Sequence, residues 1–288
     1  MLDYHAIKNW DFGEIVQTYT RRDTMLYALG IGMGADPIDS GQLQFVYEKD
    51  LETFPTMAAV LGTPGFWLSN PKTGANWVKL VQGEQHVSLY QPLPIEGTIV
   101  ARNRVLSITD KGADKGAIVV IQRDITGQAN GDLLARNKMV TFLRGDGGYS
   151  AGGGVSDDGP EPLPPVPDRT PDAEVEIPSL QQAALIYRLS GDYNALHADP
   201  EVARSAGFKR PILHGLCTYG MAAHAVLKSC CDYKPAKFKS MAVRFTSPVY
   251  PGETIRFQLW KYGDCLRLRA RVDERDVVVL NNGIIGMA

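Results

Sequence analysis

From Gly145 to Pro178 the chain runs GDGGYSAGGG and then, a few residues on, DDGPEPLPPVPD. Neither a helix nor a central strand can be built from such a stretch, because Gly loosens the backbone and Pro removes donors. It reads as a surface linker, flexible in its Gly part and extended in its Pro part. The fold must therefore be assembled from two units of similar size, residues 1–144 and 179–288, joined by 145–178.

The two units resemble each other. With Tyr27 laid over Tyr187, YALGIGMGADPIDS matches YRLSGDYNALHADP, placing Leu29 over Leu189 and Asp39 over Asp199. Further on, PLPIEGT (Pro92 to Thr98) corresponds to PVYPGET (Pro248 to Thr254), and LLARNKMVTF from Leu133 to VVLNNGIIGM from Val278, with Asn137 and Asn282 just inside each run. Three matches in the same order indicate an internal duplication.

Each unit reads as a helical region followed by strands. Leu213 to Lys228 is almost wholly apolar or small, the mark of a helix buried on most sides. Strand-like runs follow at 239–246, 254–260, 266–272 and 277–285. In the first unit Thr53 to Leu61 is the matching helix, with strands near 85–90, 98–108, 117–126 and 133–143. The fold class is α+β: a helix wrapped by an antiparallel sheet, twice over.

A net charge of -2 and a pI near 6.2 argue against a nucleic-acid partner. No apolar run reaches the length of a membrane span, and the first residues lack the basic and apolar regions of a signal peptide. The C-terminal GIIGMA is not a Ser-Lys-Leu address, so no targeting signal is seen and a cytosolic setting stays open. Four cysteines, Cys217, Cys230, Cys231 and Cys265, form no disulfide framework and point to a reducing compartment.

Chemistry concentrates between Tyr187 and Gly220. Asp192, Asn194 and His197 fall within six residues in a polar turn, and His214-Gly215 opens the buried helix seventeen residues past His197. A carboxylate, an imidazole and a helix start can together hold and activate a water. The first unit carries Gly32, Gly34 and Pro37 at the positions of Asp192, Asn194 and His197, so only the second unit can exchange protons there. A plainer reading makes Asp192 and Asn194 turn caps and His197 a surface histidine; His214 reads as structural.

The run from Tyr187 to His197, with Asp199-Pro200, Ala206-Gly207-Phe208 and Pro211-Ile-Leu-His-Gly215, resembles the hydratase 2 motif of (R)-specific enoyl-CoA hydratases, MaoC-like proteins of the hotdog fold. The duplicated length, the single active half and HVSLYQPLPIEGT (His86 to Thr98) resemble the double-hotdog hydratase 2 unit of peroxisomal multifunctional enzymes. The resemblance implies a double hotdog, reversible hydration of trans-2-enoyl-CoA to (3R)-3-hydroxyacyl-CoA in fatty acid β-oxidation, and a peroxisomal setting. It makes Asp192 and His197 the holders of the catalytic water, Asn194 an orienting residue, and the Gly215 N–H the partner of the thioester oxygen. It makes the first half a lining for the acyl chain. Ala195 is a departure, since the family usually has Pro there. The acyl-CoA is substrate and no cofactor is implied; a homodimer is an expectation.

Hydration needs hydroxide character at C3, a proton at C2 and stabilisation of the enolate-like thioester oxygen. Asp192 and His197 can share the proton work, with the order of roles left open. A glycine N–H at a helix start offers a donor and the positive end of the helix dipole. A basic set, Lys209, Arg210, Lys234, Lys237, Lys239 and Arg244, is the candidate for the CoA phosphates, against a plain solvated face.

Other patterns fail on context. Gly148-Tyr-Ser150-Ala-Gly152 mimics a nucleophile elbow inside the linker, and Gly30-x-Gly32-x-Gly34 lacks the βαβ setting of a dinucleotide loop. The histidines His5, His86, His197, His214 and His224 show no metal-ligand spacing. Two rival functions are a hotdog acyl-CoA thioesterase and a non-catalytic acyl-CoA-binding module. The first usually needs a carboxylate on the central helix, and neither Leu213–Lys228 nor Thr53–Leu61 contains one.

Overall fold

The computed structural model describes residues 1–288. The strands are β1 (Glu14–Tyr19), β2 (Leu80–Leu89), β3 (Gly97–Asp110), β4 (Ala117–Gly127), β5 (Leu133–Leu143), β6 (Ala173–Pro178), β7 (Phe238–Phe245), β8 (Thr254–Tyr262), β9 (Cys265–Val272) and β10 (Val277–Met287). The α-helices are α1 (Tyr4–Lys8), α2 (Arg21–Gly30), α3 (Ser40–Leu43), α4 (Ala183–Tyr187), α5 (Pro200–Ser205) and α6 (Gly215–Cys230). None is long and apolar enough to cross a membrane.

The sheet order is β1-β3-β4-β5-β2-β7-β10-β9-β8-β6, antiparallel throughout. Read outward from the centre, each half gives the same sequence of strands: β2, β5, β4, β3, β1 on one side and β7, β10, β9, β8, β6 on the other. The duplication is thus written in the topology, and the fold is a double hotdog. The two sheets are joined edge to edge, Val87 of β2 opposite Met241 of β7. Tyr27 and Tyr187, equated by the repeat, are both fully buried with rings 6.0 Å apart. Asp39 and Asp199, also equated, are the N-caps of α3 and α5.

The halves share the main core, while a smaller cluster that includes Ile7, Trp67 and Leu143 belongs to the first half alone. Tyr27, Ala28 and Ile31 from the first pack with Tyr219, Met221 and Val226 of α6. Gly220 permits the approach, since a Cβ there would sit 2.4 Å from the Ile31 side chain.

Three expectations need correction. The first-half helix expected over Thr53–Leu61 is one 3-10 turn, Pro55–Ala59. Pro55 starts it, and Gly62 ends it at φ 63°, where a Cβ would lie 2.2 Å from Ala101 Cβ, so the chain must turn away. Strands β1 and β6 were not foreseen; both are outer edges with sparse burial, and β6 occupies the last residues of the expected linker. The Gly part of that linker is no loose tether. Asp110 accepts from Gly148 N, Ser150 N and Ser150 Oγ at 2.7–2.9 Å, and Asp157 accepts from Tyr4, Lys8 and Ile108. Ser150 is spent on that turn.

Candidate active site

Three local caps fold the segment after α4. Gly191, left-handed at φ 112°, ends the turn Arg188–Ser190 and releases Asp192. Asp192 Oδ1 accepts from Asn194 N at 3.2 Å, and Asn194 Oδ1 from Leu196 N at 3.0 Å, capping the 3-10 turn Ala195–His197. These are Asx-type turns, the local competitors of helix that Asp and Asn favour. Asn194 therefore has its oxygen committed to the backbone, and its amide nitrogen donates to no group of the chain. Asp192 and Asn194 thus both act as caps, and the Asp192 cap uses one carboxylate oxygen and leaves the other uncommitted.

The turn brings His197 against the start of α6. The polar atoms of Asp192, His197 and His214 lie within 4.8 Å of one another. His197 donates Nδ1–H to the carbonyl of Ile212 at 2.9 Å, which leaves Nε2 carrying the lone pair. His214, the N-cap of α6, donates Nε2–H to the main-chain carbonyl of Asp192 at 3.1 Å. The two imidazoles stack at 3.7 Å with 28° between planes, and Tyr187 closes the far side of His214. His197 and His214 are 8% and 1% exposed.

Burial is the main influence on both rings, pushing the His197 and His214 pKa values below the ordinary imidazole range. The Ile212 carbonyl and the Asp192 carboxylate pull the other way at His197 without overcoming it. Both are neutral at neutral pH, so His197 Nε2 is a proton acceptor in the cluster with Asp192.

Although the sequence spacing gave no metal set, the fold gathers one carboxylate and two imidazoles. They do not suit an ion. Rings stacked nearly face to face hold their in-plane lone pairs in almost parallel planes, which cannot converge at the ~2.0–2.1 Å of a metal–imidazole bond.

Gly215 is the first residue of α6, and its N–H meets no acceptor in the chain. A side chain there would lie 3.2 Å from the Phe245 ring, so glycine both clears Phe245 and leaves the donor uncovered. At the start of a 16-residue helix that donor also carries the dipole.

The basic residues form no single patch. Lys209 and Arg210 are exposed on the segment leading into the site, Arg210 resting over Tyr250 at 5.4 Å. Lys234, Lys237 and Lys239 lie beyond the other end of α6, about 24 Å of helix away, with Lys237 paired to Asp232 at 2.8 Å. Arg244 is exposed on β7, over Phe142. Helix α6 leads through the 3-10 turn Pro235–Lys237 into β7, so residues adjacent in sequence to its end are far from its beginning.

A pocket of about 160 Å³ opens beside the Asp192–His197 turn, between the halves. Leu189, Ser190 and Gly191 form one side; Tyr19, Leu26, Met57, Val60 and Leu61 of the first half form the other. His214 and the Ile212 carbonyl were not assigned to the site from sequence. The adjacency of His214 to Gly215 was the available signal, since an N-cap stands where the helix N–H points.

Residues 17–145 match the MFE-2 hydratase 2 N-terminal domain and residues 163–283 the MaoC like domain. The chain is 38% identical over 278 residues to peroxisomal multifunctional enzyme type 2 of Mus musculus, covering 94% of this chain and 36% of that protein. It therefore spans well under two thirds of that longer relative. It is also 38% identical over 275 residues to a peroxisomal enoyl-CoA hydratase 2 of Arabidopsis thaliana, covering 91% of this chain and 88% of that one. Among solved structures, a MaoC-like dehydratase from Phytophthora capsici superposes with a TM-score of 0.84 at 36% identity, over 99% of this chain and 98% of that one.

Proposed function

The chain belongs to the MaoC-like hydratase 2 family, and from that premise we propose that it adds water reversibly to trans-2-enoyl-CoA, giving (3R)-3-hydroxyacyl-CoA in fatty acid β-oxidation. The observation that carries this reading is the pairing of two proton acceptors, the Asp192 carboxylate and His197 Nε2, beside an uncommitted helix-start N–H at Gly215.

A water held between Asp192 and His197 gives its oxygen to C3 and one proton to the pair. A proton passes from the pair to C2, so the residues end as they began. The electrons pushed toward the thioester oxygen during addition meet the Gly215 N–H, where a donor of this kind is worth roughly 3–4 kcal/mol. Asn194 holds the turn, and its amide nitrogen has no partner in the chain. The CoA thioester is the substrate, and the reaction uses no cofactor. In this reading the exposed Lys209 and Arg210 are the candidates for the CoA phosphates, and the pocket between Leu189–Gly191 and Met57–Leu61 is the candidate for the acyl chain. The peroxisomal relatives support a peroxisomal setting, and a homodimer of the double unit is part of the same proposal.

The test is hydration of crotonyl-CoA and trans-2-decenoyl-CoA by the purified protein, with chiral analysis of the product. Loss of the conjugated thioester with formation of the 3R alcohol is expected. Absence of water addition to both, or release of free CoA without it, overturns the reading in favour of a binding module or a thioesterase.

A further inference from the structure

The polar layer beneath the Pro55–Ala59 turn is unlike anything in the catalytic half. There, β9 presents Leu268, Ala270 and Val272 to the core, all fully buried and apolar. In the first half, Arg123 of β4 and Asn137 of β5 stand opposite each other in register and are 7% and 3% exposed. Arg123 Nη2 donates to the carbonyl of Ala59 at 2.6 Å, and Asn137 Nδ2 to that of Ala58 at 3.0 Å. Gln85 Nε2 donates to Asn137 Oδ1 at 3.2 Å, which fixes the way that amide faces.

A buried guanidinium normally has a carboxylate; this one has none, and burial alone pulls its pKa down to about 10. So costly a group needs a use that an apolar side chain could not supply. A single 3-10 turn leaves its last carbonyls without intrahelical partners, and Arg123 and Asn137 take the final two. The same stretch is tied from above by Tyr27 to Thr56 at 2.9 Å and by Gly62 N to Gln17 at 2.6 Å. Its other face carries Met57, Val60 and Leu61, the first-half wall of the pocket.

We propose that Arg123 and Asn137 are positioning residues for acyl-chain selection, pinning the Pro55–Ala59 turn so that Met57, Val60 and Leu61 fix the depth of the pocket. The inference rests on that pocket holding the acyl chain. Neither residue touches the reacting atoms; they act through the turn.

The experiment compares kcat and KM for crotonyl-CoA and trans-2-decenoyl-CoA in N137A, R123Q and the conservative R123K, together with hydrogen exchange at residues 58–62. N137A is read first because it leaves no charge behind. Its decenoyl-to-crotonyl ratio of kcat/KM is expected to shift by about tenfold, through the decenoyl KM, with crotonyl kcat held within about threefold. R123Q should behave alike, R123K should stay nearer the parent, and exchange at residues 58–62 should quicken in N137A. An unchanged ratio in N137A, or a parallel fall in kcat for both substrates, overturns the proposal whatever R123Q does. If the parent protein hydrates neither thioester, the functional reading fails separately; the pinning itself is then judged by exchange, where unaltered rates in N137A refute it.

Discussion

The rings of His197 and His214 stack at 3.7 Å, and each spends one nitrogen on a main-chain carbonyl, Ile212 for the first and Asp192 for the second. The stack sets the plane of His197, the Ile212 bond sets its tautomer, and together they leave its Nε2 a free acceptor in the cluster with Asp192. Because Asp192 Oδ1 and Asn194 Oδ1 also hold the turn, the proposed chemistry and local folding draw on the same residues.

Conservative replacements separate those roles. D192N keeps an oxygen to accept from Asn194 N, and H197Q keeps a donor near Ile212, so both should fold, as judged by circular dichroism and melting. Each is expected to lose at least ~10²-fold in kcat. A variant that unfolds, yet shows parental turnover in its soluble fraction, would make the residue structural.

The pH profile follows from the depressed His197. Its pKa is lowered by burial, so it stays a neutral base through the pH range in which an exposed imidazole would protonate. The acid limb of kcat/KM should therefore fall below pH 6.5, the ordinary imidazole value. A limb centred above that value would mean that an acidic neighbour governs His197 and that its burial counts for little.

Stability should show the same sign more strongly. His224 on α6 is 3% exposed, and burial, aided by Lys228, lowers its pKa from 6.5 to about 4. The folded state binds its proton less readily than the unfolded chain. The contribution is thus fully present above pH 6.5 and is lost as pH falls toward 4, on the order of 3 kcal/mol. His214, lowered by burial and by its stacked neighbour, adds in the same direction. Melting temperature measured from pH 7 to 4 should drop steeply, and H224F should flatten part of the drop; an unchanged slope in H224F would remove His224 from the account.

Much of this was legible in residue order. Strand β5 was bounded correctly at Leu133–Leu143, and Asp192, Asn194 and His197 stood out against Gly32, Gly34 and Pro37, because side-chain chemistry is a one-dimensional record. What depended on approach in space was not. Strand β6 does alternate, Ala173, Val175 and Ile177 against Glu174 and Glu176, but the Pro-rich run before it hid that period; β1 fully buries only Tyr19, and Arg123 lies in a strand whose pattern gives no hint of the carbonyl above it. His214 looked like packing because its partner, the Asp192 carbonyl, is 22 residues away. The two asparagines equated by the repeat also parted company: Asn137 turns inward to Ala58, while Asn282, at φ 56° on a bulge, reaches Leu163 of the linker.

The one departure from the family motif makes the last prediction. Ala195 is exposed and occupies the first position of the 3-10 turn that carries His197. Its N–H donates to nothing in the chain, so replacing it with Pro forfeits no hydrogen bond. Asn194 before it has φ -57° and ψ 122°, a ψ within the range that a following Pro requires. A195P should then stabilise the protein by about 0.4–1 kcal/mol, chiefly by restricting the unfolded chain. Because Asn194 Oδ1 to Leu196 N and His197 Nδ1 to Ile212 O do not involve the replaced atoms, kcat for crotonyl-CoA should stay within about twofold of the parent. Denaturant melts and initial rates on the same preparation decide it. A gain in stability with a collapse in rate would mean that the turn must flex at Ala195 during turnover, and a loss of stability would mean that the backbone at this position is not the one described.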